Sequence, residues 1–584
     1  MEHQVVIQDK QGSRWLQFGD AEDIISVQSV DDILPSLEKI DKAVNERGLY
    51  AAGFIGYEAS PAFDTAFKVQ SPGSSPLMWF GLYHQPEVVV MPRQASPYEL
   101  GKWLPTVSGS EYRQAIDRIK DLIAAGRTYQ VNYTLRLTSD FTGEPWGLFV
   151  DLIRAQEAQY AVFIDTGPLA ICSTSPELFF ELNGEELVSR PMKGTAGRGR
   201  TLAEDKVHSE WLRKSEKNRA ENVMIVDMIR NDMGRVSQLG SVHVSQLFDI
   251  ERYPTVWQMT SEVRSRTTAS IPEILTALFP CASITGAPKV STMNIIADLE
   301  SSPRGVYTGC IGYFAPGRYA QFNVAIRTVV VNKPKGEAEY GVGGGIVWDS
   351  STKDEFQECQ AKARVLTERR PEFKLLESIL WTPSEGYFLF EDHLERLADS
   401  GEYFGFALEI DEIRKELERN VASFPQRALK IRLTVNRLGE LDIEWSSAEF
   451  PKAVRLALAT NPIRRDDVFL YHKTTHRQVY ENALRDRSDC DDVLLWNEKG
   501  EITETTTANI VFESKGGLFT PPIGCGLLPG TFRKSILGAG VMVEQVITLD
   551  ELEDYDSLYL INSVRKWRKA TLIKKHALRQ LSQP

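Results

Sequence analysis

The sequence predicts two domains that each combine α-helices with β-strands. The chain has 584 residues, which is too long for one ordinary domain. Its apolar fraction of 42% is ordinary and allows sizeable cores. A charged stretch at 367–372 divides the chain, and the pattern of strands and helices begins again after it. We therefore expect domains at 1–365 and 375–584, joined by a linker at 366–374.

Hydrophobic periodicity predicts the elements of the first region. Apolar residues recur at helical spacing over 110–126, and 129–135 then alternates like a strand. A further strand is expected at 186–189. Helices are predicted over 214–232, 288–300 and 354–368. Pro288 suits the first turn of its helix and Pro303 lies beyond the end, as helix boundaries favour.

The second region begins with a predicted hairpin. Residues 375–381 and 386–390 read as its two strands. A helix is expected to open at His393–Leu397, and further strands near 427–436, 454–459, 493–496 and 508–513. No internal repeat or low-complexity segment interrupts this alternation.

Charge and composition exclude several classes of protein. The formal net charge of −13 argues against broad nucleic-acid binding and against an acidic membrane surface. No apolar run is long enough to span a bilayer, and no secretory signal opens the chain. Six scattered cysteines form no CxxC pair, which fits a reduced cytoplasm and gives no zinc signature. We expect a cytoplasmic protein that binds neither nucleic acid nor membrane.

The segment Arg190–Thr195 (RPMKGT) places Lys193 at a predicted strand-to-loop junction. Pro191 fixes φ and Gly194 permits positive φ, so the lysine is held in a chosen position. A positioned, partly desolvated amine is a candidate nucleophile. Taken alone, the segment is more simply a turn with a solvated lysine, and its context decides between the two interpretations.

Acidic side chains on two predicted helices could meet. Glu355, Glu358 and Lys362 follow the i, i+3, i+7 spacing of one helical face, and Glu221 lies on another helix. Converging carboxylates suit Mg²⁺, which takes oxygen ligands. The simpler alternative is a solvated face with a Glu358–Lys362 ion pair. The glycine-rich run at 341–345 does not match a dinucleotide fingerprint, because Ile346 stands at the final glycine position.

An ordered set of motifs over roughly 1–365 resembles the chorismate-utilising enzymes. Its members are Ser173–Glu177, Arg190–Thr195, Ala220–Asp232, Ser283–Lys289, Arg304–Tyr307, Val324–Thr328, Gly341–Gly345 and Glu355–Glu358. The resemblance implies an α+β chorismate-binding fold with layered β-sheets and outer helices. The lysine of Pro-Met-Lys-Gly-Thr is similar to that of the aminodeoxychorismate synthases, because anthranilate synthases carry a small residue there.

This resemblance implies roles for individual residues. Lys193 would attack ring carbon C2 of chorismate while the C4 hydroxyl leaves, with Glu177 as the general acid. Such an acid needs a raised pKa. Glu221 and Glu358 would bind Mg²⁺ directly, with Glu355 nearby, and the metal would hold the ring carboxylate. The remaining substrate-binding candidates are Thr285, Gly286, Tyr307, Arg327, Gly343 and Lys362.

At two positions the residue differs from that of related subgroups, and these differences distinguish this chain within the family. Gln130 stands where isochorismate-forming relatives use a water-activating lysine. Gln258 stands where anthranilate synthases have a histidine that is associated with pyruvate elimination. Gln258 weakens the anthranilate interpretation and indicates that this half does not finish the reaction to an aromatic product.

The second region resembles the class IV pyridoxal-phosphate enzymes, and among these the aminodeoxychorismate lyases. The similar segments are His393–Leu397, His472–Arg477, Glu501–Ile510, Gly526–Arg533 and Asn562–Arg565. The resemblance implies an α/β class IV fold in which Lys473 binds pyridoxal phosphate covalently and Glu504 keeps its ring nitrogen protonated. Arg396, Gly530, Thr531 and Ser563 would hold the phosphate. Lys566 stands where a glycine is expected.

Together the two resemblances predict a bifunctional enzyme. Its first half would make 4-amino-4-deoxychorismate from chorismate and ammonia, and its second half would release pyruvate to give 4-aminobenzoate for folate synthesis. No cysteine lies in a Gly-x-Cys-x-Gly elbow, so a separate glutamine amidotransferase is expected to supply ammonia. A homo-oligomer through the second domain stays open. The alternatives are an anthranilate-type synthase fused to a branched-chain or D-amino-acid aminotransferase, and a non-catalytic scaffold.

Overall fold

A computed structural model describes residues 3–9, 14–73, 75–90, 96–367, 371–450, 453–487 and 489–573. The chain divides into two compact units. The first unit comprises Met1–Gly197 and Ser209–Arg370, and the second comprises Arg198–His208 and Pro371–Pro584. The charged stretch at 367–372 lies at this division, and its residues 368–370 are outside the described residues. The predicted domain limits and linker stay predictions.

The helices agree with the predicted periodicity. Those up to residue 367 are α1 (Ile33–Arg47), α2 (Gly109–Ala124), α3 (Pro145–Gln156), α4 (Leu202–Lys214), α5 (Glu216–Gly234), α6 (Ile271–Leu278), α7 (Lys289–Leu299) and α8 (Thr352–Ala363). Those after it are α9 (Phe390–Phe404), α10 (Ile410–Asn420), α11 (Gln478–Arg485) and α12 (Thr531–Gly538). Pro288 is the residue before α7 rather than part of its first turn.

Two large antiparallel sheets form the centre of the first unit. The strands are β1 (Val5–Asp9), β2 (Arg14–Phe18), β3 (Asp23–Val27), β4 (Tyr50–Ile55), β5 (Met78–Tyr83), β6 (Glu87–Val89), β7 (Tyr98–Leu100), β8 (Leu104–Pro105), β9 (Gln130–Gly143), β10 (Tyr160–Asp165), β11 (Leu169–Ser175), β12 (Leu178–Asn183), β13 (Glu186–Arg190), β14 (Met192–Gly197), β15 (His243–Arg252), β16 (Val256–Arg266), β17 (Gly286–Ala287), β18 (Cys310–Ala315), β19 (Tyr319–Val324), β20 (Thr328–Asn332) and β21 (Glu337–Ile346). One sheet has the order β17-β9-β21-β20-β11-β10-β1-β2-β6, with β7 and β8 beside β9. The other has the order β14-β16-β13-β12-β19-β18-β4-β5-β3, with β15 beside β16.

The two sheets pack face to face with helices outside them. Apolar residues of both sheets, such as Ile7 and Ile171 from one and Phe54 and Ile311 from the other, share one core. A second core joins α2, α3 and α8 to the outer face of the first sheet, and a third joins α1, α5 and α6 to the second sheet. The layered sheets and outer helices that the sequence predicts are confirmed.

The second unit contains two further sheets. Its strands are β22 (Leu375–Thr382), β23 (Gly386–Tyr387), β24 (Leu429–Val435), β25 (Leu441–Ser447), β26 (Ala453–Leu458), β27 (Asp492–Trp496), β28 (Ile502–Thr505), β29 (Asn509–Ser514), β30 (Gly517–Thr520), β31 (Val543–Glu544), β32 (Ser557–Asn562) and β33 (Lys566–Leu572). The orders are β23-β22-β24-β25 and β28-β27-β26-β33-β32-β29-β30-β31. The predicted hairpin is present as β22 and β23, and α9 and α10 cover the smaller sheet.

The segment Arg198–His208 belongs to the second unit by its contacts. Arg198 donates a hydrogen bond of 2.8 Å to the carbonyl of Tyr403, and the Tyr403 hydroxyl donates one of 2.7 Å to the carbonyl of Gly199. The Nε2 atom of His472 lies 3.2 Å from the carbonyl oxygen of Arg200. No described helix is long and apolar enough to cross a membrane.

Two candidate active sites

A cavity of about 430 Å³ in the first unit gathers most of the predicted residues of the first site. They come from β14, α5, β21 and α8 and from the loops that follow β11, α7 and β19. The predicted residues that line it are Glu177, Lys193, Glu221, Tyr307, Arg327, Gly343, Glu355, Glu358 and Lys362.

Thr285 and Gly286 do not line this cavity, although Ser283 and Ile284 do. The Thr285 hydroxyl donates to the Ala282 carbonyl at 3.2 Å, and its carbonyl accepts from the amide of Asn132 at 2.8 Å. Both residues support the wall of the cavity from behind. Neither residue lines the cavity, so their role in substrate binding stays a prediction.

Lys193 lies within β14, not at the strand-to-loop junction that the sequence predicts. Met192 pairs with Thr260 and Thr195 pairs with Gln258, so Lys193 and Gly194 share one opposing residue, Met259. This is a β-bulge, which redirects a side chain while the strand continues. Gly194 has φ of 102°, a conformation that favours glycine, so the motif glycine makes the bulge.

Burial shifts the proton affinities of Lys193 and Glu177 in opposite directions. Burial lowers the pKa of the Lys193 amine, partly offset by the Glu221 carboxylate. Burial also raises the pKa of Glu177 to about 7, partly offset by Ser283 and Lys193. The Oε1 atom of Glu177 has no hydrogen-bond partner among the described residues. Near neutral pH the cavity therefore offers an amine that is easier to deprotonate and a carboxyl that is half protonated.

Gln130 occupies the space beside Lys193. Neither of its side-chain polar atoms has a hydrogen-bond partner in the described part of the chain, although the residue is only 1% exposed. A Cβ atom added at Gly345 would lie 1.9 Å from the Gln130 Nε2 atom and 3.0 Å from the Lys193 Nζ atom. Gly345 therefore leaves room for the amide and the amine, and the buried amide of Gln130 has no partner among the described residues.

The three predicted metal ligands line one cavity without forming a ready-made metal site. Among the described residues, no three His, Cys, Asp or Glu side chains are close enough to hold a metal ion. The Glu355 carboxylate accepts a 2.6 Å hydrogen bond from Ser350, and Glu358 pairs with Lys362 at 2.7 Å. Burial raises the pKa of Glu221 and of Glu355, and Glu358 adds to both shifts. Three mutually repelling oxygen donors fit the chemistry of Mg²⁺.

The Glu358–Lys362 ion pair, which the sequence left as the simpler alternative, is present within the cavity. Lys362 lowers the pKa of Glu358, and the Lys362 amine also donates to the Gly343 carbonyl at 2.7 Å. Arg327 has φ of 52°, which is unusual for a non-glycine residue, and donates to the Lys362 carbonyl at 2.9 Å. The Arg327 guanidinium lines the cavity and contributes to the lowered pKa of Glu358.

Several residues of this site were missed by the sequence analysis. Asn222 donates to the Lys193 carbonyl at 3.3 Å and accepts from Ser261 at 2.5 Å, so it supports the bulge. Lys217 and Trp211 also line the cavity. Lys217 lies one turn before Glu221 on the same helix, and this shared face was the signal that could have found it.

A second cavity, of about 260 Å³ and wholly within the second unit, contains all six predicted residues of the second site. They are Arg396, Lys473, Glu504, Gly530, Thr531 and Ser563. Burial lowers the pKa of Lys473 to about 7, with Arg396 adding to the shift. An amine with this pKa can be neutral and nucleophilic near physiological pH.

Glu504 is fully enclosed by hydrogen-bond donors. Its carboxylate accepts from the Tyr480 hydroxyl at 2.7 Å, the Asn509 amide at 3.1 Å and the backbone of Leu528 at 3.1 Å. Burial nevertheless raises its pKa to about 7. A protonated ring nitrogen would provide the positive charge that this buried carboxylate lacks, so the site fits a pyridine cofactor.

The predicted phosphate end of the cavity depends on Glu377, which the sequence analysis did not single out. Arg396 donates to Glu377 at 2.9 Å and 2.6 Å, and His393 lies 2.6 Å from the same carboxylate. The other ring nitrogen of His393 is 3.3 Å from the Thr531 hydroxyl at the start of α12. A Cβ atom at Gly530 would lie 2.1 Å from the Asn509 Oδ1 atom, which explains glycine there.

Lys566 retains the backbone of the glycine it replaces. Its φ is 54°, in the left-handed region that glycine adopts easily. Its Nζ atom lies 4.6 Å from the centre of the Phe388 ring, a cation–π contact. The turn after β32 is therefore preserved despite this departure.

Two protein families match the chain in consecutive segments. Residues 90–368 match the family described as chorismate binding enzyme, and residues 374–573 match the family described as amino-transferase class IV. We call these two segments the chorismate binding enzyme domain and the class IV aminotransferase domain, after the families that they match. The two candidate cavities fall within these two matches respectively.

Curated relatives match the chorismate binding enzyme domain. Aminodeoxychorismate synthase of Streptomyces griseus is 43% identical over 258 residues, which is 44% of this chain and 35% of that protein. Aminodeoxychorismate synthase component 1 of Bacillus subtilis is 38% identical over 276 residues, 47% of this chain and 58% of that protein. The chain thus spans less than two thirds of the length of these relatives.

Solved structures support the fold of the same domain. Anthranilate synthase component I from Streptococcus pneumoniae has a TM-score of 0.52 at 24% identity and covers 63% of this chain and 93% of its own. A 2,3-dihydroxybenzoate-specific isochorismate synthase from Bacillus anthracis has a TM-score of 0.53 at 17% identity. This match covers 62% of this chain and 95% of the other chain. At these identities the likeness concerns the fold of the chorismate binding enzyme domain alone.

Proposed function

We propose that the chain converts chorismate to 4-aminobenzoate in two steps. The first domain exchanges the C4 hydroxyl of chorismate for ammonia, which gives 4-amino-4-deoxychorismate and water. The second domain eliminates pyruvate from this intermediate, and the ring becomes aromatic. The observation that carries the proposal is the position of Lys193 beside Glu177 in the first cavity, where burial lowers the pKa of the lysine amine. The relatives of this domain are named aminodeoxychorismate synthases.

The residue types support a covalent route in the first domain. The neutral Lys193 amine attacks C2 of chorismate, both conjugated ring double bonds shift towards C4, and the C4 hydroxyl leaves as water with a proton from Glu177. Ammonia then attacks C4, both double bonds shift back, and the bond between C2 and Lys193 breaks. With a pKa of about 7, Glu177 can donate a proton near neutral pH and recover it afterwards.

Mg²⁺ is part of the proposal for this domain. Glu221 and Glu358 would hold the ion directly, with Glu355 nearby, and the metal would neutralise the ring carboxylate of chorismate. Arg327, Tyr307 and the amides beside Gly343 would bind the carboxylate of the enolpyruvyl group. These roles agree with the shared cavity that the residues line.

Pyridoxal phosphate is the cofactor of the class IV family and is assigned here to the second domain. When bound, it supplies an electron sink for the carbon that carries the amine. Lys473 would bind it and Glu504 would hold a proton at its ring nitrogen. Arg396, Gly530, Thr531 and Ser563 would hold its phosphate. With a pKa of about 7, Lys473 can take a proton from the amine-bearing carbon near neutral pH.

Ammonia is proposed to come from a separate glutamine amidotransferase, as the component 1 name of the Bacillus subtilis relative suggests. Such an enzyme needs a nucleophilic thiolate. All six cysteines are free thiols, and burial raises the pKa of each, to about 12 in Cys525. The highly purified chain should therefore use ammonium salts but not glutamine. Glutamine-dependent turnover by the chain alone would contradict the proposal of a separate amidotransferase.

The free thiols also suit the proposed cytoplasmic location.

The rival is an anthranilate-type synthase joined to an aminotransferase. The decisive experiment incubates the pure chain with chorismate, Mg²⁺, ammonium and pyridoxal phosphate, and identifies the aromatic product by chromatography. We expect 4-aminobenzoate and an equal amount of pyruvate. Anthranilate as the product, or transamination without pyruvate release, would replace the proposal with the rival.

A further inference from the structure

The second cavity carries more positive charge than its cofactor assignment uses. The basic residues that line it are Arg396, Lys430, Arg432, Lys473, Arg477 and Arg565, and Glu504 is the acidic residue among its lining. Arg396 and Lys473 belong to the proposed cofactor set. Four cations remain, and we call Lys430, Arg432, Arg477 and Arg565 the extra cations.

The backbone holds the extra cations towards the cavity. Lys430 and Arg432 flank Ile431 on β24, and Ile431 is buried in the core behind the sheet. Side chains alternate along a strand, so Lys430 and Arg432 face away from that core and towards the cavity. Arg565 comes from the turn between β32 and β33, where the Asn562 side chain accepts from its backbone amide at 2.7 Å.

Among the described residues, only one of the extra cations has an acidic partner, and that partner is distant. In the described part of the chain, the side chains of Lys430 and Arg565 make no hydrogen bond or ion pair. Arg432 approaches Glu444 only to 3.7 Å, in an exposed pair. Arg477 donates to the Thr506 carbonyl and lies over the Tyr480 ring.

The extra cations also repel one another. Burial lowers the pKa of Lys430, and Arg565, Arg432 and Arg477 add to this shift in that order. Like charges gathered in a partly desolvated cavity destabilise the free protein unless an anion joins them. Their arrangement is therefore suited to a ligand with more than one negative charge.

We infer that Lys430 and Arg565, assisted by Arg432, form a subsite that binds a dicarboxylate substrate. The inference rests on the proposed function, in which 4-amino-4-deoxychorismate carries one carboxylate on its ring and another on its enolpyruvyl group. A simple amino acid carries a single carboxylate beside its amine and would leave the other cations unpaired. Arginine forks and lysine ammonium groups are the usual partners of carboxylates.

The test uses the full-length chain loaded with pyridoxal phosphate, in EDTA so that the Mg²⁺-dependent first reaction is silent. Pyruvate release from supplied 4-amino-4-deoxychorismate gives kcat and KM for Arg565→Gln and Lys430→Met. We expect KM to rise about tenfold or more in each, because a hydrogen bond to a charged group contributes at least that factor. The value of kcat should change much less. Arg565→Lys should recover part of the loss.

Two controls separate this role from others. Arg455→Gln removes an exposed arginine of the same unit, paired with Asp491, and should leave KM unchanged. Cofactor absorbance and affinity should be the same in all variants. An unchanged KM in both Arg565→Gln and Lys430→Met would overturn the inference. So would a loss that appears only in cofactor affinity, because the cations would then serve the phosphate.

A binding measurement makes the result independent of turnover. Chorismate carries both carboxylates but no amine, so it can occupy the second cavity without reacting there. Calorimetric titration in EDTA should detect a site in the parent that Arg565→Gln weakens by the same factor as KM. If the parent releases no pyruvate yet shows this site, the proposed function fails and the subsite stands. If pyruvate is released and binding is unaltered in the variant, the subsite fails alone.

Discussion

Glu377 accepts two hydrogen bonds from Arg396, at 2.9 Å and 2.6 Å, and this pair orients the proposed phosphate-binding arginine of the second site. Glu377 is almost fully buried, and its carboxylate also contacts His393, which in turn contacts Thr531. A single carboxylate therefore positions Arg396 directly and Thr531 through His393, and both Arg396 and Thr531 line the second cavity. Such supporting contacts decide whether a binding group keeps its geometry.

Glu377→Gln should weaken both the second unit and its hold on pyridoxal phosphate. Breaking one side of a buried ion pair typically costs about 3–5 kcal/mol of unfolding free energy. Despite burial, Arg396 and His393 lower the pKa of Glu377 to about 2 from its usual 4.5. The parent therefore gains stability above pH 4.5 and loses it as pH falls towards 2, and the variant should lack this dependence. Urea unfolding at several pH values measures this pH dependence of the unfolding free energy. Glu412→Gln, an exposed helix position, should behave like the parent.

Lys193→Ala should abolish formation of 4-amino-4-deoxychorismate and leave pyruvate release from the supplied intermediate intact. The reason is that the amine is proposed to bond to C2, and alanine removes this amine from the bulge. Both activities are measured by chromatography on the same preparation. Lys42→Ala, on the exposed face of α1, is the matched control. Amination at the parental rate in Lys193→Ala would refute the covalent route.

The first reaction should lose rate above about pH 7 when free ammonia is held constant. Glu177 must be protonated to act as the acid, and its raised pKa of about 7 puts the loss there rather than near its usual 4.5. At constant total ammonium, rising free ammonia should oppose this fall and give a bell-shaped profile. A rate that stays flat from pH 6 to about 9 at fixed free ammonia would remove Glu177 from this role. Glu177→Gln should be slow at every pH.

Lys473 should be the residue to which borohydride attaches pyridoxal phosphate. Its lowered pKa, about 7, keeps part of the amine neutral and able to react with the cofactor aldehyde. Peptide mapping by mass spectrometry identifies the labelled lysine. Lys473→Ala should let 4-amino-4-deoxychorismate accumulate from chorismate. A label on Lys430, the other lysine of the cavity, would show that the assignment is wrong.

Gly345→Ala should impair the first reaction without unfolding the chain. The added methyl would collide with the Gln130 amide and press on the Lys193 amine, at 1.9 Å and 3.0 Å respectively. Displacing these groups should reduce kcat for amination by about tenfold or more, as small misplacements in active sites do. Gly19→Ala, at an open position without a positive φ, is the control for the loss of a glycine. Equal activities in Gly345→Ala and the parent would show that Gln130 and Lys193 are not confined by this strand.

The sequence by itself determined the local features of this protein. Periodicity located α2, α5, α7 and α8 and the first hairpin of the second unit, because amphipathic spacing reflects which face each element buries. Ordered motifs identified Lys193, Glu177, Lys473 and Glu504 as candidates. The structure brings the first two into one cavity and the last two into another. These residues were predictable because their motifs are short and contiguous.

Only the tertiary structure decided the relations between residues that are distant in sequence. The bulge at Lys193 exists because β14 and β16 pair with one extra residue, and the Gln130 amide reaches Lys193 because β9 and β21 pair through Gly345. The membership of Arg198–His208 in the second unit likewise comes from contacts with residues about 200 positions away. Strand register and long-range packing are set by many weak contacts acting together, and no local pattern records them.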